Sequence, residues 1–179
     1  MRVIAGRLGG RMFDSPGTHR THPMSDKMRG ALFNILGDLG GLNVLDAFGG
    51  SGALAFEAIS RGASAVLVLD NDKAAQKTIE RNIRMLGISD GVKLVRASAG
   101  AWLGTNEGKT FDVILCDPPY DDLQQQTLTA LAGRLTSSGV LALSYPAAAV
   151  PPVFDGLRQL KQQSYGDAQL VFYGLAESR

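Results

Sequence analysis

Val44-Leu45-Asp46-Ala47-Phe48-Gly49-Gly50-Ser51-Gly52 reads as a buried strand that ends in an acid and runs through a glycine turn into a helix. In an open parallel sheet, ligands bind at the carboxyl ends of the strands where strand order reverses. A first strand followed by a Gly-rich turn marks that place. Glycines there take positive φ and let backbone approach a ligand closely. The helix is expected from about Gly52 to Arg61, with Leu54, Phe56, Ala58 and Ile59 buried and Gly62 past its end.

Downstream, strands and helices alternate. Ala65 to Leu69 is a continuous apolar run ending at Asp70, the pattern of a strand covered on both faces. Asp72 can cap a helix whose stripe is Ala75, Ile79, Ile83 and Leu86, stopped by Gly87. Val92 to Val95 is a third strand and Phe111 to Cys116 a fourth, which ends at Asp117. A helix near Leu123 to Leu135, a strand at Val140 to Ser144 and a helix after Pro151-Pro152, ending near Leu160, continue the series. Gln162 to Tyr165 and Gln169 to Leu175 meet across Gly166-Asp167 as a hairpin. The expected architecture is α/β, a mostly parallel sheet with a C-terminal antiparallel hairpin.

Upstream, Arg2 to Ala5 and Arg11 to Phe13 are short β-prone pieces that suit a small hairpin, followed by polar loop through Pro23. Ser25 can cap a helix with Met28, Ala31, Leu32, Ile35 and Leu36 on one face and Gly37 at its end. Residues 1–41 are thus read as an extension and 42–179 as the core. Basic side chains crowd the first part of this extension: up to Arg29, Arg2, Arg7, Arg11, Arg20, Lys27 and Arg29 stand against Asp14 and Asp26, with His19 and His22 beside them. Such a segment can neutralise phosphates although the net charge is only +1.

At 179 residues and 45% hydrophobic, the chain suits one globular core. One cysteine, Cys116, excludes an internal disulfide framework and a Cys-rich metal site, and suits a reducing compartment. No apolar run approaches the roughly 20 residues of a membrane span. The expectation is a cytoplasmic monomer without metal.

Gly50-Ser51-Gly52-Ala53-Leu54-Ala55 satisfies the dinucleotide pattern G-x-G-x-x-[G/A], with Asp70 placed as a ribose-binding acid. Against a nicotinamide cofactor, Asp46 just before the turn would repel a pyrophosphate and attract a cofactor carrying an ammonium and a sulfonium. Asp117-Pro118-Pro119-Tyr120 then follows the fourth strand. Two prolines fix φ and remove two donors, leaving a rigid acceptor turn. Asp117 and the Pro118 carbonyl can hold both hydrogens of a planar exocyclic amine, and the Tyr120 ring offers a stacking face. Held so, the nitrogen lone pair is aimed for attack.

Together, Asp46 to Gly52, Asp70 and Asp117-Pro118-Pro119-Tyr120 resemble the S-adenosylmethionine-dependent amino-methyltransferases with a D/N-P-P-Y motif. Arg2-Val3-Ile4-Ala5-Gly6, Gly10-Arg11, Pro23-Met24-Ser25-Asp26 and Arg29 to Leu36 are similar to the bacterial 16S ribosomal RNA guanine-N2 methyltransferases of the RsmD type. The resemblance implies a Rossmann-like class I methyltransferase fold with a seven-stranded sheet. It implies S-adenosylmethionine as cofactor and S-adenosylhomocysteine as product, with ribosomal RNA, in a small-subunit particle, as partner. Asp46, Phe48, Gly49, Gly50, Ser51 and Gly52 would hold the methionine moiety, Asp70 the ribose, and Asn71, Ser98 and Ala99 the adenine. Asp117, Pro118, Pro119 and Tyr120 would hold the target base, and Arg2, Arg7, Arg11, Arg20, His22, Lys27 and Arg29 the RNA. No metal and no covalent intermediate are implied.

The chain departs from that pattern in places. The family usually has Phe-Ala-Gly-Ser-Gly where this chain has Phe48 to Gly52, and an acid near Ser98. Arg-Pro becomes His22-Pro23, and an Arg and a Glu of the helix start become Lys27 and Gly30. The same amine geometry also serves an adenine N6 or a glutamine amide acceptor, and a non-catalytic RNA-binding paralogue would keep the same fold. Cys116 reads as a packed small hydrophobe rather than a nucleophile, and Trp102 as packing.

Overall fold

A computed structural model describes residues 1–17 and 24–176. A seven-stranded sheet is built from β1 (Asn43–Asp46), β2 (Ala65–Leu69), β3 (Val92–Val95), β4 (Phe111–Cys116), β5 (Leu135–Pro146), β6 (Leu157–Tyr165) and β7 (Ala168–Leu175). Its order is β3-β2-β1-β4-β5-β7-β6. From β3 to β5 every pairing is parallel, and β7 runs antiparallel to both β5 and β6. Because the chain leaves β1 toward β2 on one side and returns later to β4 on the other, strand order reverses between β1 and β4. That is the crevice the glycine turn marks.

Helices cover both faces: α1 (Asp26–Leu36), α2 (Ala53–Ser60) and α3 (Lys73–Leu86) on one, α4 (Ala99–Thr105) and α5 (Gln125–Ala132) on the other. Val44, Val66, Val68, Val113 and Leu115 point into the first core, and Leu45, Leu67, Leu69, Ile114 and Cys116 into the second. Period-2 alternation inside unbroken apolar runs explains why these strands show no polar face. Ser25 and Asp72 cap α1 and α3 as expected, accepting from the backbone N–H of Met28 and Ala75.

The extension shares the first core. Val3, Leu8 and Phe13 pack with Met28, Leu32 and Phe33 of α1 and with α2, Phe13 meeting Phe56 edge-on at 5.2 Å. Its hairpin reduces to one antiparallel bridge, Arg2 with Met12, closed by Val3 N–H to the Arg11 carbonyl and Gly10 N–H to the Val3 carbonyl.

Three expectations need correction. No helix follows Pro151-Pro152: the segment stays extended, with Phe154 packed edge-on to Tyr173 at 4.9 Å and the Tyr173 hydroxyl donating to the Pro152 carbonyl at 2.8 Å. Two prolines without N–H groups and Gly156 at φ 75° favour this crossover, and β6 begins at Leu157. β5 is twelve residues, not five, because α5 already ends at Ala132. The buried face of α1 is Met28, Arg29, Leu32 and Phe33, with Ala31, Ile35 and Leu36 only half-buried.

Candidate active site

Asp46 ends β1 and Asp117 follows β4, so adjacent central strands deliver both carboxyl groups to one crevice. Asp46 is fully buried; one oxygen accepts from Ala55 N–H at 3.2 Å and the Phe48 amide also contributes, while Oδ1 has no partner. Burial, and then the charge of Asp117, push its pKa up to about 7. A buried carboxylate with a vacant lone pair favours a cation as its ligand.

The turn beside it requires glycine. A Cβ on Gly49 would lie 2.7 Å from Val68 Cγ1, and Gly50 and Gly52 sit at φ 53° and 82°. Gly50 N–H donates to Asp70 Oδ2 at 2.7 Å, and Asp72 N–H donates to Oδ1 at 2.7 Å. Asp70 thus clamps the turn to the end of β2, and the Asn71 backbone amide also bonds its carboxyl. Asn71 is exposed beside it. Phe48 is half-buried, and Ser51 is buried with Oγ toward Ala53 N–H.

Ser98 and Ala99 lie past β3, on the edge of the same strand ends. The Ser98 hydroxyl accepts from Ala101 N–H at 3.2 Å as the cap of α4, which engages one of its two lone pairs.

In the Asp117-Pro118-Pro119-Tyr120 turn, Pro118 is buried, Pro119 accepts from Asp122 N–H, and the Tyr120 side is open, at 40% exposure. Burial pushes Asp117 up to about 6, against which a hydrogen bond from Ser144 pulls downward. The Tyr120 and Ser144 hydroxyls lie 2.7 Å apart. Burial and the two neighbouring carboxyl groups push the Cys116 thiol up, which fits packing rather than nucleophilic chemistry.

Two side chains here escaped the sequence reading. Ser144, at 2% exposure, was legible only as a lone hydroxyl at the end of an apolar strand. Glu57 is fully buried in α2 and accepts from Ile4 N–H (2.8 Å), Ala5 N–H (3.0 Å) and Arg61 Nε (2.7 Å). Its signal was one acid inside Ala53-Leu54-Ala55-Phe56-Glu57-Ala58-Ile59. Ser60 adds Leu8 N–H to Oγ, so α2 is the dock for the extension.

The basic set divides. Arg20 and His22 lie outside the described residues. Arg2 is exposed and paired with Asp26, while Arg7 and Lys27 are exposed. Arg11 is exposed and donates to the Met85 carbonyl. Arg29 is a correction: at 0% exposure, it donates inward to the Arg2 carbonyl at 2.7 Å and to Asp26 at 3.0 Å, and cannot reach a phosphate. Among the described residues no His/Cys/Asp/Glu group is disposed to hold a metal, and no helix is long and apolar enough to cross a membrane.

Comparison with known proteins agrees with this geometry. The model of the family described as Conserved hypothetical protein 95 matches residues 1–174. Ribosomal RNA small subunit methyltransferase D of Buchnera aphidicola is 33% identical over 74% of this chain and 70% of its own length. The protein provisionally named rRNA methyltransferase YlbH of Bacillus subtilis is 28% identical over 97% and 98%. Among solved structures, Escherichia coli yhhF, provisionally described as a methyltransferase, superposes with a TM-score of 0.87 at 25% identity, covering 98% of this chain and 97% of its own. The fold is that of a class I methyltransferase. With its family model matched over nearly its whole length, the chain belongs to the Conserved hypothetical protein 95 family and is a relative of the ribosomal RNA small subunit methyltransferase D proteins.

Proposed function

We propose that the protein transfers a methyl group from S-adenosylmethionine to the exocyclic N2 amine of a guanine in 16S ribosomal RNA, carried in a small-subunit particle. The observation that carries this reading is the pairing of two carboxyl groups across the β1/β4 crevice, one with a vacant oxygen suited to a cation and one in a Pro-Pro turn suited to an amine. The residues fit the cofactor: Asp46 Oδ1 is free for its ammonium, and the turn from Gly49 to Gly52 packs directly on Val68 and Phe56, which only glycine at positions 49 and 52 allows. Asp70 borders the place for its ribose, and Asn71, Ser98 and Ala99 the place for its adenine. Bound there, the cofactor supplies an electrophilic methyl group on sulfur.

The chain's own residues do the rest. Ionised Asp117 accepts one hydrogen of the amine and the Pro118 carbonyl accepts the other, which withdraws the lone pair from the ring and aims it. Tyr120, half-open to solvent, stacks on the base. Arg2, Arg7, Arg11 and Lys27 are exposed for phosphates.

The test is transfer of labelled methyl from S-adenosylmethionine to small ribosomal subunits by the native protein and by Asp117→Ala. The expected outcome is a loss of at least about a hundredfold in turnover, with S-adenosylhomocysteine affinity within about threefold of native. Near-native turnover of Asp117→Ala would remove Asp117 from the reaction.

A further inference from the structure

We infer that Ser144 is a positioning residue that couples the charge state of Asp117 to the ring of Tyr120 through a directed chain of hydrogen bonds; this rests on the methyl-transfer reading above. Ser144 sits on β5 one residue past Leu143, which pairs with Cys116 of β4, so its hydroxyl stands beside the start of the Asp117 turn. It is 2% exposed, its hydroxyl lies 2.7 Å from that of Tyr120, and the strand register sets it beside the Asp117 carboxyl, whose pKa it draws down.

Proton counting fixes the direction. A serine hydroxyl has one hydrogen, and an ionised carboxylate only accepts. With Asp117 ionised, Ser144 therefore donates to Asp117, and Tyr120 must donate to Ser144. The chain Tyr120 O–H to Ser144 O–H to Asp117 is polarised in one sense. Protonating Asp117 removes that demand and frees the Tyr120 tether to reverse or break. The ring that stacks on the base is thus tethered in one fixed sense when the carboxylate is ready to accept the amine hydrogen.

The other groups facing this chain are Asp46 from β1, the Cys116 thiol beside Asp117, and Asp167 in the β6–β7 turn, which acts on the Tyr120 phenol. Asp70 acts on Asp46. Their influence is through charge and burial rather than through the Ser144 hydroxyl, so removing that hydroxyl isolates the coupling.

The experiment follows the ring resonances of 13C-labelled tyrosine in the full-length protein against pH, with Tyr120 assigned through Tyr120→Phe. In the native protein the Tyr120 signal is expected to titrate with a midpoint near 6, the value to which Asp117 is pushed. That inflection should vanish in Asp117→Asn and in Ser144→Ala and persist in Ser144→Thr. In turnover, the acid limb of kcat/KM should move upward by about half a pH unit in Ser144→Ala, with acceptor KM raised about tenfold and S-adenosylhomocysteine affinity unchanged. Tyr120→Phe should shift the limb the same way, and the double variant should add little further. An unchanged Tyr120 titration in Ser144→Ala overturns the coupling whatever the turnover shows. Absence of methylated product from the native protein, with the titration as expected, fails the methyl-transfer reading alone.

Discussion

Asp46 is the residue on which site and stability oppose each other most directly. Its carboxyl is pushed from 3.8 up to about 7, so ionising it in the folded protein costs on the order of 4 kcal/mol. The folded state binds this proton more tightly than the unfolded one. The penalty is therefore absent below about pH 4, grows as pH rises, and is complete above about 7. Asp46→Asn should raise the Tm of the ligand-free protein at pH 8, leave it nearly unchanged at pH 4, and abolish S-adenosylhomocysteine binding. Calorimetry at the two pH values checks this, and a lower Tm at pH 8 would contradict it. The place of Asp46 at the crevice was legible because it ends an apolar strand that runs into a glycine turn. The inward turn of Arg29 was not, because a basic residue on an amphipathic helix reads as solvated until a buried carbonyl, here that of Arg2, claims it.

At the scale of elements, α2 does two jobs. Its first turn packs behind the glycine cradle, and its last turns hold the extension through Glu57 and Ser60. Glu57→Ala would leave the Ile4 and Ala5 N–H groups and Arg61 without their buried acceptor, at a cost of about 3 kcal/mol. Denaturant unfolding reads that value; a loss under about 1 kcal/mol would mean the extension is held by apolar contacts instead. Docking there sets Arg7 against the C-terminal end of α2 and Arg11 against that of α3, while the crevice lies at their N-terminal ends. The outer face of α3, about 16 Å from Lys73 to Arg84, offers RNA a path between these arginines and the crevice. Lys73, Lys77 and Arg84 are exposed along it, and Arg81 is paired with Asp14. Replacing Lys73, Lys77 and Arg84 with Ala should flatten the salt dependence of RNA binding by about 0.7 to 0.9 in log–log slope for each phosphate no longer neutralised. An unchanged slope would place the RNA elsewhere. Helices with caps and apolar stripes, such as α3, were legible in the sequence. The crossover after Pro151 was not, because it is fixed by Phe154 packing on the distant Tyr173.

The whole molecule brings two carboxyl groups, Asp46 and Asp117, to the ends of neighbouring central strands. The alternation of strands and helices, the parallel part of the sheet and its antiparallel C-terminal hairpin were readable, since each depends on local pattern and the chirality of parallel crossovers. The Ser144 chain was not, because it joins β5 to the turn after β4 through a hydrogen bond that sequence spacing does not encode. Methylation of an amine in an RNA base is the claim on which the account stands. Its most direct measurement is the transfer of labelled methyl from S-adenosylmethionine to unmodified small ribosomal subunits, naked ribosomal RNA and DNA in parallel, with nucleoside analysis of each product. The account predicts label as N2-methylguanosine, in RNA and not in DNA; label in adenosine would keep the mechanism and contradict the substrate, and no label in any acceptor would contradict the account itself.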